Sequence, residues 1–328
     1  MINSLKQLTS LNGVSGSEHP VTEYIKSQVM PYADKVYTDV MGNLVAIKRG
    51  QGKRIMFMAH TDEIGIVATY VDENGFVRVS KVGGVRPQRF LCNYVTFENG
   101  VRGVFCAPSA DGELKIEDCY VDIGATDRED ALSKIDLGMT ARFDGDTFEM
   151  GNLVVSKALD NRAGCYALIE TLKNIKTTNN ELYFVFTTQE EVGLRGAKVC
   201  GFDINPDIAI AVDIVTSADT PGCNRYGTEL GKGAAIKTRD GSAICSKPIV
   251  DMLINTAEQN EIPHQIDAKT TGGTDIGGIQ ATGRGAYIGA VTIPIRRTHS
   301  IGETAAKSDI TAAINLLSAF AQKEVENL

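Results

Sequence analysis

Two adjacent carboxylates, Glu190 and Glu191, stand in "TTQEEVGLRGA" immediately after the apolar run Leu182 to Phe186 and ahead of Gly193 and Gly196. The run is rich in Val, Phe and Tyr and reads as a strand; the glycines mark the turn after it. Four other places share this arrangement of a polar residue where an apolar or periodic segment starts or stops. They are His60 with Asp62 in "KRIMFMAHTDEIG", Asp160 in "KALDNRAGC", Asp213 after "IAIAV", and His299 in "IPIRRTHSIGE". In open α/β sheets ligands collect at the carboxyl ends of strands, so these positions are the candidates for chemistry.

Each position also has a plain structural explanation. His60 and Asp62 are two apart, so a continuing strand puts both on one face, where a carboxylate can orient a metal-binding imidazole; a core histidine satisfied by backbone groups explains it as well. Asp160 precedes a helical pattern and suits a helix N-cap, yet its two oxygens also suit it to bridge two metal ions. Asp213 would end a buried parallel strand, and a carboxylate there needs a cation or a wet cleft. His299 fits a surface loop beside two arginines, and adjacent Glu residues fit a solvated turn. Taken together, two histidines and three or four carboxylates form a mixed N/O set suited to a pair of zinc-like ions about 3.5–4 Å apart. At a strand-to-turn junction consecutive carboxylates can serve one site, so Glu190 and Glu191 divide as proton acceptor and ligand.

The elements that position these residues follow an α/β pattern. "GSEHPVTEYIKSQVM" has helical spacing behind a Ser17 cap candidate, and Ile55 to Met58 forms a short buried strand. From about Val67 to Val154 helical spacing disappears: "FVRVSKV", "YVTFENGVRGVFC" and "CYVDIGA" alternate with Gly, Asn and Asp turns, which predicts an inserted β-rich domain. Helices and strands alternate again afterwards, ending in a helix from Ser308 onward, so residues 1–66 and 155–328 are expected to form one α/β domain with covering helices around the 67–154 insert. No internal repeat or low-complexity segment interrupts the pattern.

Composition narrows the function class. In 328 residues, 43% hydrophobic and 23% charged with a net charge of −8, there is ample core and little to attract nucleic acid or an anionic membrane, though a local basic pocket remains open. "MINSLKQLTS" lacks a secretory pattern, and nowhere do roughly 18 apolar residues run together, so a cytoplasmic protein is expected. The seven cysteines are scattered without a Cys-x-x-Cys pair, which fits reduced thiols used in packing.

The ordered segments "AHTDEIG", "KALDNRAGC", "TTQEEVGLRGA", "AVDIV…DTPG" and "PIRRTHSIGE" resemble the dinuclear-metal aminopeptidases of the glutamyl and deblocking aminopeptidase family, the tetrahedral peptidases. The similarity spans essentially the whole chain from "LNGVSGSE" onward. It implies a zinc-aminopeptidase-like catalytic domain, a mixed sheet flanked by helices, with the insert as an all-β, barrel-like dimerisation domain. By resemblance His60, Asp160 and Asp213 hold one divalent metal ion and Asp160, Glu191 and His299 the other, zinc or cobalt. Asp160 is then the bridge, Asp62 orients His60, and Glu190 is the general base. The resemblance further implies peptide substrates with a free N-terminus, release of single residues, and dimers assembling into a tetrahedral dodecamer. "TTGGTDIGGIQ" matches a family segment near the substrate pocket, while its glycines also suit plain turns. Arg297, Thr298 and "SIGE" depart from the family pattern around His299 and leave side-chain preference open.

Two other readings compete: a metal-dependent deacylase or other hydrolase of the same fold, and an inactive binding protein. Some relatives of the family have been labelled cellulases, but this chain has no Trp to stack on sugars. An inactive protein would be expected to lack a ligand or the base, and all are present.

Overall fold

The computed structural model describes residues 1–109, 114–223 and 227–325. Its helices are α1 (Ile2–Ser10), α2 (His19–Val29), α3 (Arg128–Lys134), α4 (Leu159–Asn174), α5 (Arg195–Ile204), α6 (Lys247–Gln259), α7 (Ile276–Ile279) and α8 (Lys307–Ala321). The strands up to the insert are β1 (Lys35–Thr38), β2 (Leu44–Lys48) and β3 (Arg54–His60). Those of the β-rich segment are β4 (Gly65–Val71), β5 (Val77–Val82), β6 (Tyr94–Phe97), β7 (Arg102–Cys106), β8 (Tyr120–Asp122) and β9 (Thr140–Phe143). The rest are β10 (Phe148–Met150), β11 (Leu153–Ser156), β12 (Glu181–Thr187), β13 (Ile208–Thr216), β14 (Ala234–Lys237), β15 (His264–Asp267), β16 (Tyr287–Arg296) and β17 (Glu303–Ala306).

Eleven strands form one mixed sheet in the order β1-β2-β12-β3-β13-β16-β17-β11-β10, with β14 and β15 attached beside β16. Its centre, β12-β3-β13-β16, is parallel. These strands are buried almost end to end, as parallel strands covered by helices must be, and their sequences accordingly run apolar without alternation ("RIMFMA", "IAIAV"). Helix α4 packs on α1, α2 and α8 and against β3 and β13, while α5 packs on α7. The core beneath them includes Phe57 and Phe184, whose rings stack with centroids 5.4 Å apart.

β4 to β9 close a barrel in the order β4-β5-β8-β7-β6-β9 with its own core, in which Phe90 stacks on Phe143. The expected insert ended at Val154, but β10 and β11 pair into the large sheet through β17, so the inserted unit we propose stops after Phe143. The barrel segment also carries α3, capped by the Asp127 side chain, which accepts from the Asp130 N–H. α1 was not anticipated, although Leu5 and Leu8 are fully buried. Ser17 does not cap α2, which starts after Glu18 without a side-chain cap. Among the described residues no helix is long and apolar enough to cross a membrane.

Candidate metal centre and active site

The parallel register explains why the polar strand ends meet. β12 and β3 align Thr187 with His60, and β3 and β13 align Met58 with Ala211, which sets Asp213 level with His60. His60 and the loop after Thr187 therefore emerge at one carboxyl edge of the sheet; Asp213 lies level with them but does not end its strand as expected, because β13 runs on to Thr216. Asp160 enters from the first turn of α4. It does not cap that helix: Asp160 and Asn161 have non-helical backbone angles, and it is the Asn161 side chain that accepts from the Gly164 N–H, which leaves the Asp160 carboxylate to the sheet edge. His299 enters from the β16–β17 loop in left-handed backbone at φ 58°, a conformation that costs a residue with a Cβ on the order of 1–3 kcal/mol.

The expected residues converge. Asp160 Oδ1 lies 3.2 Å from His60 Nε2, and its other oxygen, Oδ2, lies 3.4 Å from His299 Nε2. Asp213 Oδ1 is 3.7 Å from His60 Nε2, and Glu191 Oε1 is 2.9 Å from His299 Nε2. Glu190 Oε2 stands 3.9 Å from His60 Nε2. Among the described residues, one ligand atom each of His60, Asp160 and Glu191 falls within 4.8 Å of the other two, a trio that draws on both expected ligand sets.

Asp62 contacts more than the His60 ring. Its Oδ1 lies 3.4 Å from His60 Nδ1, and its two oxygens also accept the backbone N–H groups of Glu190 (3.0 Å) and Glu191 (3.1 Å). Ser15 Oγ donates to Asp62 at 2.6 Å, and Glu18 accepts from the N–H of Gln189, which is itself left-handed at φ 55°. The glutamate pair is thus fixed through its backbone, which frees both side chains for the cavity.

The electrostatics fit divalent cations. Burial pushes the carboxyl groups of Glu190, Glu191 and Asp213 above the usual range, with their neighbouring carboxylates adding to the rise. Asp160 is driven the other way: burial opposes its ionisation, but the imidazoles of His299 and His60 outweigh it. Burial would lower His299, yet Asp160 and Glu191 carry it up to about 11. So many buried carboxylates around two imidazoles make a donor set short of positive charge, which divalent cations with N/O preference supply.

The signs define a pH test. A carboxyl group raised on folding binds more protons folded than unfolded, so its stability contribution falls as pH rises from about 4 through the folded value. Burial places those values at about 7 for Asp275 and about 8 for Glu303. His60 and His299, raised on folding, contribute stability below about 6.5 that is lost as pH climbs toward their folded values. Asp62 and Asp160, both lowered, are ionised folded and unfolded above about pH 5 and add no slope there. Chelated protein should therefore melt at a lower temperature at pH 8.5 than at pH 6, and excess zinc should flatten the difference. A melting temperature that rises with pH under chelation would contradict this assignment.

A cavity of about 840 Å³ opens over the cluster. His60, Asp160, Glu190, Glu191, Asp213 and His299 line one part of it, and Thr271 to Thr274 line another, which places the first half of "TTGGTDIGGIQ" at the cavity wall. Arg297 and Thr298 also line it; Arg297 donates to the Gly302 carbonyl, and the Thr298 and Thr216 hydroxyls share a 2.7 Å hydrogen bond. The barrel segment borders the site too. Arg89 donates to the Thr298 and His299 carbonyls, and a Cβ at Gly84 would stand only 2.6 Å from His299 Nδ1, so glycine is needed for this close approach. Ser15, Glu18, Arg86, Arg89 and Glu303 have no assigned role in the sequence analysis, although "PIRRTHSIGE" ends in Glu303. "LNGVSGSE", where the family resemblance begins, contains the first two.

Residues 42–316 match the family model described as M42 glutamyl aminopeptidase. The chain belongs to the M42 family. It is 45% identical over 320 residues, 97% of each chain, to a putative aminopeptidase of Acetivibrio thermocellus. Its fold superposes with a TM-score of 0.95 on aminopeptidase APDkam598 from Desulfurococcus kamchatkensis, at 34% identity over 98% of this chain and 94% of that one. The TET1 peptidase of Pyrococcus horikoshii, which can assemble into a tetrahedron or a large octahedral shell, is similar at TM-score 0.90 and 32% identity over 98% of both chains. This M42 protein is therefore an aminopeptidase, a hydrolase of peptide bonds in a metal-dependent family.

Proposed function

We propose that this aminopeptidase removes single residues from the free N-terminus of short peptides, using two divalent ions, zinc or cobalt, and Glu190 as general base. The observation that carries the reading is the split orientation of Asp160, one oxygen toward His60 and the other toward His299. That is what a bridging ligand requires. His60, Asp160 and Asp213 would hold one ion, and Asp160, Glu191 and His299 the other. When bound, such a pair supplies Lewis-acid activation of water and of the scissile carbonyl.

The chain's own groups do the rest. Asp62 keeps Glu190 and Glu191 in place through their amides and orients the His60 ring. Burial raises Glu190's affinity for a proton, which suits a carboxylate that takes one from the attacking water and returns it to the departing amine. Elsewhere on the cavity wall, Arg86, Arg89, Lys269 and Arg297 form no ion pair with any described residue. This local basic pocket in an acidic protein supports a preference for an acidic N-terminal side chain.

Seven cysteines without a disulfide support a cytoplasmic location. The tetrahedron that the TET1 relative can form supports a tetrahedral dodecamer; its construction from dimers joined through the barrel rests on the family resemblance alone.

The test is hydrolysis of aminoacyl-nitroanilides with acidic, basic and apolar side chains, plus one N-acetylated control, by chelated protein before and after zinc or cobalt is restored. Metal-restored cleavage of the free-amine substrates, fastest for acidic residues, is the expected result. Cleavage of the blocked control alone would favour a deacylase, and none with either metal an inactive protein.

A further inference from the structure

Glu303 is a buried carboxylate outside the proposed ligand set, at the start of β17 and 2% exposed. Its Oε1 accepts the His299 N–H at 2.7 Å, and its Oε2 accepts the Asp160 N–H at 3.0 Å. Among the described residues it makes no ion pair and no other hydrogen bond from its side chain. Both oxygens are spent on the backbones of two residues that lie 139 positions apart and meet at the site.

We infer that Glu303 is a positioning residue that sets the separation of Asp160 and His299 by holding both of their amides on one rigid carboxylate. The inference rests on the reading that these two residues share a metal ion. Three observations carry it. Neither held residue sits in regular backbone: His299 is left-handed, and Asp160 has non-helical angles within the first turn of α4, so neither is fixed by a helix or strand ladder. The hydrogen bonds that Glu303 accepts from their backbone N–H groups take the place of that ladder. A buried carboxylate without a paired cation carries a desolvation cost, and here the groups that offset it are the amides of the two proposed ligands, so the carboxylate ties its own burial to their placement. Finally, Asp62 holds the amides of Glu190 and Glu191 in the same way. Four of the six residues of the cluster are thus held in two pairs by two carboxylates, each spanning two amides. Such partners orient ligands and tune their affinity without touching the ion.

The test compares wild-type protein with Glu303→Gln, which keeps volume but offers one acceptor where two are needed, and with Glu303→Ala. Circular dichroism and melting under chelation establish that each variant is folded. Zinc affinity is then read by competition with a chromophoric chelator, cobalt coordination by visible absorption, and kcat and KM are measured at saturating zinc. The expected result is a folded Glu303→Gln protein with zinc affinity about 10–100-fold weaker, an altered cobalt spectrum, and a loss in kcat larger than any change in KM. Wild-type affinity, spectrum and kcat in Glu303→Gln would overturn the inference. So would failure of both variants to fold, which would assign Glu303 to structure alone. A His299→Ala protein measured alongside separates the two claims: if it takes up zinc as wild-type does, the reading of the metal centre fails, and not merely the role of Glu303.

Discussion

Glu190→Gln is expected to lower kcat by about 10²–10⁴-fold while KM stays within a few-fold and bound metal stays at the wild-type level. The expectation follows from how Glu190 is held. Its backbone N–H is bound to Asp62, so the replacement leaves the loop in place, and the side chain faces the cavity 3.9 Å from His60 Nε2. Glutamine matches glutamate in size but cannot accept the proton that water must lose. Steady-state kinetics with an aminoacyl-nitroanilide, paired with metal analysis of the same sample, decides the matter. A variant keeping more than about a tenth of wild-type kcat would remove Glu190 from the role of base, because general-base contributions are larger than that. Metal loss accompanying the inactivity would instead make Glu190 a ligand.

Asp160→Ala should be more severe, because one substitution strips both proposed metal positions. Each Asp160 oxygen faces a different histidine, and no other described residue approaches both rings through separate oxygens. The variant should bind neither ion tightly and lose activity by more than the roughly 10–100-fold typical of removing a supporting partner. Asp213→Ala, which removes a carboxylate near His60 alone, should weaken one ion more than the other. Titration with zinc under competition measures all three proteins. Two tight equivalents retained by Asp160→Ala would refute the bridge, and equal losses at both positions in Asp213→Ala would refute the division of ligands.

Much of this site could be read one segment at a time. His60, Asp160, Glu190, Glu191, Asp213 and His299 each lie where an apolar or periodic segment starts or stops, and that is a local property. Backbone alternation and turn chemistry act over a few residues, so "RIMFMA" and "ELYFVFT" read as buried strands with polar ends, "IAIAV" as a buried strand that in fact continues past Asp213, and the β-rich character of the insert shows in its turn spacing. The family resemblance assigned roles to those ends in their order along the chain.

The structure departs from the local pattern where that pattern is weak or ambiguous. α1 is short and only partly apolar. β10 and β11 resemble the barrel strands in length and composition, and only their pairing partners assign them to the large sheet. Asp160 has the residue type of a helix cap, but the backbone at the start of α4 turns its carboxylate elsewhere.

The sequence by itself determined which residue types stand at which strand ends, and with them the chemistry available: imidazoles, carboxylates and a proton acceptor, in an acidic protein with reduced thiols. Only the tertiary structure decided how those groups face one another. The sheet places β12 between β2 and β3 and runs β13 beside β3, an order unrelated to chain order, and so brings segments more than 100 residues apart into one cluster. It also recruits Glu303, Asp62 and the barrel's Gly84 and Arg89, whose roles are contacts with distant backbone or rings. Periodicity reports which way a side chain leaves its own strand. The partner it meets depends on which strands are neighbours, and that is set by packing of the whole sheet.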